Sequence, residues 1–327
     1  MKYRILGKTD LVVSEVGFGV WTVSSNDWGI SQPMDGARLL QSAFDLGINF
    51  FDTADFYGRG YGEEIISESL GSHRHEIIVA TKFVSEIVKP INLLQPSAPL
   101  DEITPEEIRF SCEQSLRRLK SDYIDLYQIH LANPELIFRD ELFDILKTLI
   151  KEGKARFAGV DFAPGLKMEK DFWVPMTSNE VAVIQLGFGM GDFRLEPELF
   201  GDNSDHNLGI VTRNPHSVEM IPTLLSEARE ANRLGKEGPA FQSVTKRWVS
   251  GKTLEKLSFI KDHHSSPLTQ LAITFCLNQE TVGSVLPDIT SYEQLEGYSS
   301  AVYSEPPCSE CVLELEALIR ECEEEIQ

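Results

Sequence analysis

Four side chains in the first half of the sequence have the types and spacing for acid–base chemistry: Asp52, Tyr57, Lys82 and His130. A phenol ordinarily ionises near pH ~10, so a tyrosine that exchanges a proton near neutrality needs a cation to stabilise its phenolate. Lys82 is that cation in this reading, Asp52 orients and charge-balances it, and His130 donates a hydrogen bond to a substrate oxygen. Singly, each residue has an ordinary structural use, as a turn cap, a solvated strand end or a satisfied core histidine. Jointly, Asp52, Lys82 and His130 close three successive short apolar runs, and one shared use explains that better than three separate ones.

The elements that must position them follow from the pattern of apolar residues and breakers. Apolar runs at 4–7, 12–13 and 16–19, with Lys8-Thr9-Asp10 between the first two, predict a small hairpin leading into a buried strand. After Pro33, Ala37, Leu39, Leu40, Ala43, Phe44 and Leu46 recur at helical spacing and stop at Gly47, and a strand follows at 48–51. The step repeats: a helix over 65–70 ended by Gly71 and a strand at 77–80, then a helix opened by Thr104-Pro105-Glu106-Glu107 and a strand at 124–129. Next comes a helix over 141–152 closed by Gly153 and a strand at 157–160. Further strands are predicted at 181–186, 209–212 and 283–286, the last preceded by a helix over 268–277. Helices alternating with short, wholly apolar strands describe a parallel sheet covered by helices, and about eight such strands favour a closed barrel over a doubly wound open sheet. No G-x-G-x-x-G follows the first strand. In a parallel barrel, polar residues just past the carboxyl ends of strands are the first suspects for chemistry, and the irregular stretches 85–103, 187–207 and 220–240 belong to that same face.

The run Phe51-Asp52-Thr53-Ala54-Asp55-Phe56-Tyr57-Gly58, with Ala80-Thr81-Lys82 and Asp125-Leu126-Tyr127-Gln128-Ile129-His130, resembles the aldo-keto reductases, specifically the bacterial type opening Tyr3-Arg4-x-Leu6-Gly7-Lys8-Thr9. The likeness runs from Met1 to about Ala301. It implies a single α/β domain over 1–327: a (β/α)8 TIM barrel at about 14–301, an N-terminal β-hairpin, and C-terminal helices with a tail at about 308–327. It also implies a catalytic tetrad of Asp52, Tyr57, Lys82 and His130, with Tyr57 protonating a carbonyl oxygen as a hydride arrives from NADPH. Gln185, Phe188, Arg213 and Asp161 are the expected cofactor contacts, with Phe188 as the ring that stacks on the nicotinamide. Trp21, Phe56, Phe83 and Phe162, together with Trp28 and Phe193, are expected around an apolar substrate pocket.

The cofactor half departs from the family pattern. Where relatives read Gly-Val-Ser-Asn, with two side chains that grip the nicotinamide amide, this chain reads Gly159-Val160-Asp161-Phe162. After Leu286-Pro287, Asp288, Thr290 and Gln294 fall where basic residues commonly hold a 2′-phosphate, and Gly297 and Tyr298 replace a Glu-Asn pair that contacts adenine. A carboxylate ~4 Å from a phosphate at an effective dielectric of ~20 costs on the order of 4 kcal/mol. Three readings follow from these residues. The first is a reductase that holds NADPH through other residues, Arg213 among them. The second is a redox-neutral dehydratase, lyase or isomerase that uses Tyr57 and Lys82 without any dinucleotide. The third is a barrel that only binds a ligand, against which the complete tetrad argues.

Composition narrows the partners. The 327 residues hold 30 Lys and Arg against 51 Asp and Glu, a net charge of −21. That sign disfavours nucleic acid and anionic membranes and points to a small-molecule substrate. There is no apolar run of spanning length and no leader pattern, and five cysteines are few and odd in number. These features predict a cytoplasmic protein with reduced thiols, and they leave its oligomeric state open. No metal site is expected: Cys308-Ser309-Glu310-Cys311 reads as the start of a helix, His263-His264 as a solvated loop, and the acidic run 321–325 as a frayed helix end.

Overall fold

The computed structural model describes residues 1–24, 33–83, 103–132, 134–162, 170–189, 206–213, 215 and 267–313. Trp28, Phe193, His263, His264, Cys322, the acidic run and most of the three irregular stretches lie outside the described residues.

The expected hairpin is present: β1 (Tyr3–Ile5) pairs antiparallel with β2 (Val12–Ser14). Its turn is tied by Thr9, whose Oγ1 donates to the Leu6 carbonyl and accepts from the Leu11 amide. Eight strands then form one parallel sheet in chain order: β3 (Phe18–Gly19), β4 (Phe50–Asp52), β5 (Ile78–Phe83), β6 (Ile124–Ala132), β7 (Ala155–Phe162), β8 (Val183–Gly187), β9 (Gly209–Arg213) and β10 (Val282–Leu286). The ring closes through a parallel bridge between Val16 and Val285, where the Gly17 amide donates to the Val285 carbonyl and the Val285 amide to the Glu15 carbonyl, both at 2.9 Å. This is a (β/α)8 barrel.

Helices cover its outside. A short turn α1 (Trp21–Ser24) precedes α2 (Pro33–Asp45), α3 (Tyr61–Leu70), α4 (Pro105–Leu119), the short α5 (Pro134–Ile137), α6 (Asp140–Lys151), α7 (Trp173–Ser178), α8 (Leu268–Leu277) and α9 (Tyr292–Ala301). The start of α4 matches its sequence signature. Thr104 and Glu107 form a reciprocal capping box with Pro105 in the first turn, which satisfies amides that have no partner within the helix. Gly47 and Gly153 end α2 and α6 with positive φ (88° and 76°), whereas Gly71 has φ −58° and continues α3 into a short 3-10 turn.

Strand alternation divides the apolar residues into two bodies. Phe51, Val79, Tyr127, Ile129, Val160 and Ile184 point outward and pack under the helices. Phe50, Ile78, Ala80, Leu126, Val183, Val211 and Leu286 point inward and pack on Leu6, Leu11 and Val13 of the hairpin, which plugs the amino-terminal end of the barrel. Gly7 and Gly209 meet at this plug. A Cβ on Gly7 would run into the Gly209 backbone, and the φ of +56° at Gly7 is one that glycine adopts without strain. Towards the carboxyl ends of the strands the inward positions turn polar: Asp52, Lys82, Gln128, His130, Asp161 and Gln185 are all buried.

Candidate active site at the carboxyl end of the barrel

Lys82 lies two residues beyond the Ala80 that pairs with Asp52 across β4 and β5, so its side chain reaches back to meet the Asp52 carboxylate. Its ammonium also donates to the Thr53 carbonyl at 2.9 Å. Asp52 receives two further hydrogen bonds, from Gln128 Nε2 at 3.4 Å and Gln185 Nε2 at 3.3 Å, and Gln128 Nε2 also donates to Gln185 Oε1 at 3.2 Å. Both glutamines point inward from β6 and β8. Gln128 was not among the sequence candidates, although its position two residues before His130 on one strand puts it on the same face.

Tyr57 sits on a one-turn 3-10 segment after β4, partly buried. Lys82 Nζ is 5.2 Å from its ring centroid, His130 stands edge-on to it at 5.7 Å, and Trp21 stands edge-on at 6.1 Å. The structure therefore brings Asp52, Tyr57, Lys82 and His130 together at the carboxyl end of the barrel.

Charge in this cluster is set by burial and by neighbours. Burial alone would lower the Lys82 pKa, but the Asp52 carboxylate against it, with Tyr57 and Asp161 nearby, raises it above the ordinary lysine range, so Lys82 is an ammonium. Burial raises Asp52, with Lys82 opposing. The Tyr57 phenol is pushed up to about 12 by burial, against the downward pull of Lys82. The expected lowering by the lysine is outweighed by the cost of burying a phenolate, to which the Asp52 and Asp161 carboxylates add. His130 lies well below the ordinary histidine range because of burial, then Lys82 and Arg213, and it is a neutral imidazole.

The family model described as "Aldo/keto reductase family" matches residues 15–310, nearly the whole barrel. The chain belongs to the aldo/keto reductase family. Aldo-keto reductase YhdN of Bacillus subtilis (strain 168) is 34% identical over 308 residues, covering 91% of this chain and 88% of that protein. The uncharacterized oxidoreductase YqkF of the same bacterium is 29% identical over 300 residues, covering 90% and 89%. Among solved structures, the holo form of aldo-keto reductase AKR11C1 from Bacillus halodurans aligns over 97% of this chain and 96% of its own, at 26% identity and a TM-score of 0.71. This aldo/keto reductase thus belongs with oxidoreductases, and the redox-neutral reading gains no support.

The residues expected around the cofactor are distributed unevenly. Asp161, 1% exposed, lies between His130, whose Nε2 is 3.3 Å from Asp161 Oδ2, and Arg213, whose Nε donates to Asp161 Oδ1 at 3.2 Å. Arg213 Nη2 also donates to the Phe162 carbonyl. Gln185 is engaged with Asp52 and Gln128. Phe188 is buried and stacks on Phe275 of α8 at 5.4 Å, and Cys276 Sγ donates to its carbonyl at 3.3 Å. Of the aromatic residues expected around a pocket, Trp21 and Phe56 are partly buried near the mouth. Phe83 and Phe162 face the other way: they are buried under the helices, Phe83 against Tyr127 and Phe162 against Phe172. Each follows an inward-pointing residue, Lys82 or Asp161, by one position, and a strand reverses its side-chain direction at every residue.

A nicotinamide carboxamide presents one acceptor and one donor group, and the adjoining Arg213 guanidinium and Asp161 carboxylate are chemically complementary to it. This end of the site fits the cofactor. The segment after β10 fits a 2′-phosphate poorly. Residues 282–313 contain no lysine or arginine. Asp288 accepts from Trp21 Nε1 at 2.8 Å, the Thr290 amide and hydroxyl both donate to Gln294 Oε1, and Tyr298 is buried.

Among the described residues no cluster of metal-ligating side chains exists, and no helix is long and apolar enough to cross a membrane. The C-x-x-C pair serves a helix start: Cys308 Sγ accepts from the Cys311 amide at 3.2 Å, and Cys311 is fully buried.

Proposed function

We propose that this protein reduces the carbonyl group of a small molecule, with Tyr57 as the proton donor. The observation that supports this reading best is the convergence of Tyr57, Lys82, Asp52 and His130 on one patch at the strand ends. Reduced nicotinamide dinucleotide, when bound, supplies the hydride, and Arg213 and Asp161 are the residues suited to hold its carboxamide. NADPH is the form that the family resemblance implies. Lys82 keeps positive charge beside the phenol and favours the phenolate left when the proton goes to the carbonyl oxygen, while Asp52 holds the lysine in place. His130 adds a hydrogen bond to the same oxygen. Trp21, edge-on to Tyr57, and the partly buried Phe56 next to Tyr57 in sequence suit a substrate with an apolar part. Unbridged cysteines at 112, 276, 308 and 311 suit a reducing compartment, and we assign the protein to the cytoplasm.

The test is a panel of aldehydes and ketones assayed with NADPH and with NADH, using wild type and Tyr57→Phe. Oxidation of one cofactor by wild type and a loss of about 10²-fold or more in the variant support the reading. Undiminished activity in Tyr57→Phe, or no response of wild type to either cofactor by turnover or by quenching of its fluorescence, overturns it.

A further inference from the structure

We propose that Asp161 is a positioning residue for His130: it holds the imidazole in the tautomer with its proton on Nε2, and Arg213 braces Asp161 in that role. The argument begins with register. Ile129 of β6 pairs with Val160 of β7 and the register shifts immediately beyond, between Ile129 and Ala132, where His130 Nε2 comes within 3.3 Å of Asp161 Oδ2; both residues are buried. Asp161 pairs with Gln185 of β8, which pairs with Val211 of β9, so Arg213 reaches back across two strands to the carboxylate. With Nε on Asp161 Oδ1 and Nη2 on the carbonyl of Phe162, Arg213 grips the side chain and the next peptide unit together. The carboxylate is thereby fixed with Oδ2 facing His130.

A neutral imidazole has one N–H, and its position follows the acceptors nearby. At Nε2 there is the Asp161 carboxylate at 3.3 Å, whereas the buried Nδ1 has no hydrogen-bond partner among the described residues. The proton therefore sits on Nε2. The contact is one of charge proximity and not a formed hydrogen bond, so the carboxylate biases the proton to Nε2 while this N–H stays available to an oxygen arriving beside Tyr57. Without Asp161, nothing described in the structure selects between the two nitrogens, and a fraction of the molecules would present a lone pair to that oxygen.

The catalytic part of this inference rests on the proposed carbonyl reduction, but the tautomer itself does not. The experiment is nitrogen NMR of the full-length protein labelled with ¹⁵N-histidine, with the His130 signals assigned by their loss in His130→Gln. Wild type should show a single tautomer protonated on Nε2. Asp161→Ala should show averaging or a shift towards Nδ1, and Asp161→Asn, whose carbonyl can still accept, should return towards wild type. In steady-state assays at saturating cofactor Asp161→Ala should lower kcat about tenfold with the carbonyl substrate's KM little changed, while the KM for the cofactor, whose carboxamide Asp161 is suited to hold, rises; Asp161→Asn should regain part of kcat. A wild-type His130 protonated on Nδ1 overturns the proposal even if no Asp161 variant folds. An unchanged His130 signature in folded Asp161→Ala also overturns it. Absence of any carbonyl reductase activity would count against the proposed function alone, because the spectrum needs no turnover.

Discussion

The Lys82 ammonium meets the Asp52 carboxylate diagonally across β4 and β5, although the strand register pairs Asp52 with Ala80 and Lys82 with Gln128. Both side chains are fully buried. A buried pair of this kind is costly to break on one side only, because the remaining charge loses its compensation. The relationship thus ties the stability of the barrel to the composition of its mouth.

Lys82→Met should destabilise the protein by about 3–5 kcal/mol, and Asp52→Asn combined with Lys82→Met should be less destabilised than Lys82→Met alone. Urea denaturation of the three proteins measures this. A double variant no more stable than Lys82→Met would show that the loss is one of packing.

The pH dependence follows from Tyr57. Its phenol stays protonated up to a pKa of about 12, so the proton needed for reduction is present throughout the neutral range. Carbonyl reduction should therefore show no loss from Tyr57 ionisation over ~pH 6–9, while oxidation of the product alcohol, which needs the phenolate, should rise with pH. Initial rates in both directions decide the matter. A reduction rate that falls with a midpoint near neutrality in wild type, and not in Tyr57→Phe, would contradict the assignment.

Asp288 joins the last strand to the first helical turn through Trp21, and Trp21 flanks Tyr57. Asp288→Ala should free the indole, raising substrate KM severalfold with kcat less affected and altering the protein's tryptophan emission, as expected for a lost charge-assisted hydrogen bond of about 1.5–3 kcal/mol. Asp288→Asn retains an acceptor and should lie closer to wild type. Equal KM values in all three proteins would detach Asp288 from substrate binding.

At the start of α4, Thr104 accepts from the Glu107 amide at 3.2 Å while Glu107 Oε2 accepts from the Thr104 amide at 2.8 Å. Thr104→Ala should cost about 0.5–2 kcal/mol, read as a lower denaturation midpoint with unchanged slope, and should leave activity intact. A stability equal to wild type would mean that water replaces the cap at no cost.

Much of this was legible because barrel chemistry is tied to strand ends. Asp52, Lys82 and His130 each lie at or near the carboxyl end of an apolar run, and counting by twos along those runs places all three inward, together with Gln128, Asp161 and Gln185. The same parity sends Phe83 and Phe162 outward; proximity to the strand end alone gave the opposite expectation. Phe188 lies beyond β8, where alternation no longer applies, and its place depends on Phe275, eighty-seven residues later in the chain. The bond between Asp288 and Trp21 had no local signal either. It exists only because the first and last barrel strands meet, which brings residues 267 positions apart into contact.

The plug at the amino-terminal end also governs how the chain can be made. Arg4 donates to the carbonyls of Leu277 and Val282 at 2.9 Å each, across 273 and 278 residues of sequence, and Leu6 packs in the same inner cluster as Val211 and Leu286. The hairpin is synthesised before the barrel strands, yet its seat is completed by the last of them. At ~5–20 residues per second, Leu6, Leu11 and Val13 wait about a quarter of a minute to a minute for that seat during synthesis. Until the last strand is made the barrel cannot close and the apolar residues of the plug cannot be fully covered, which leaves them open to chaperone holding and aggregation.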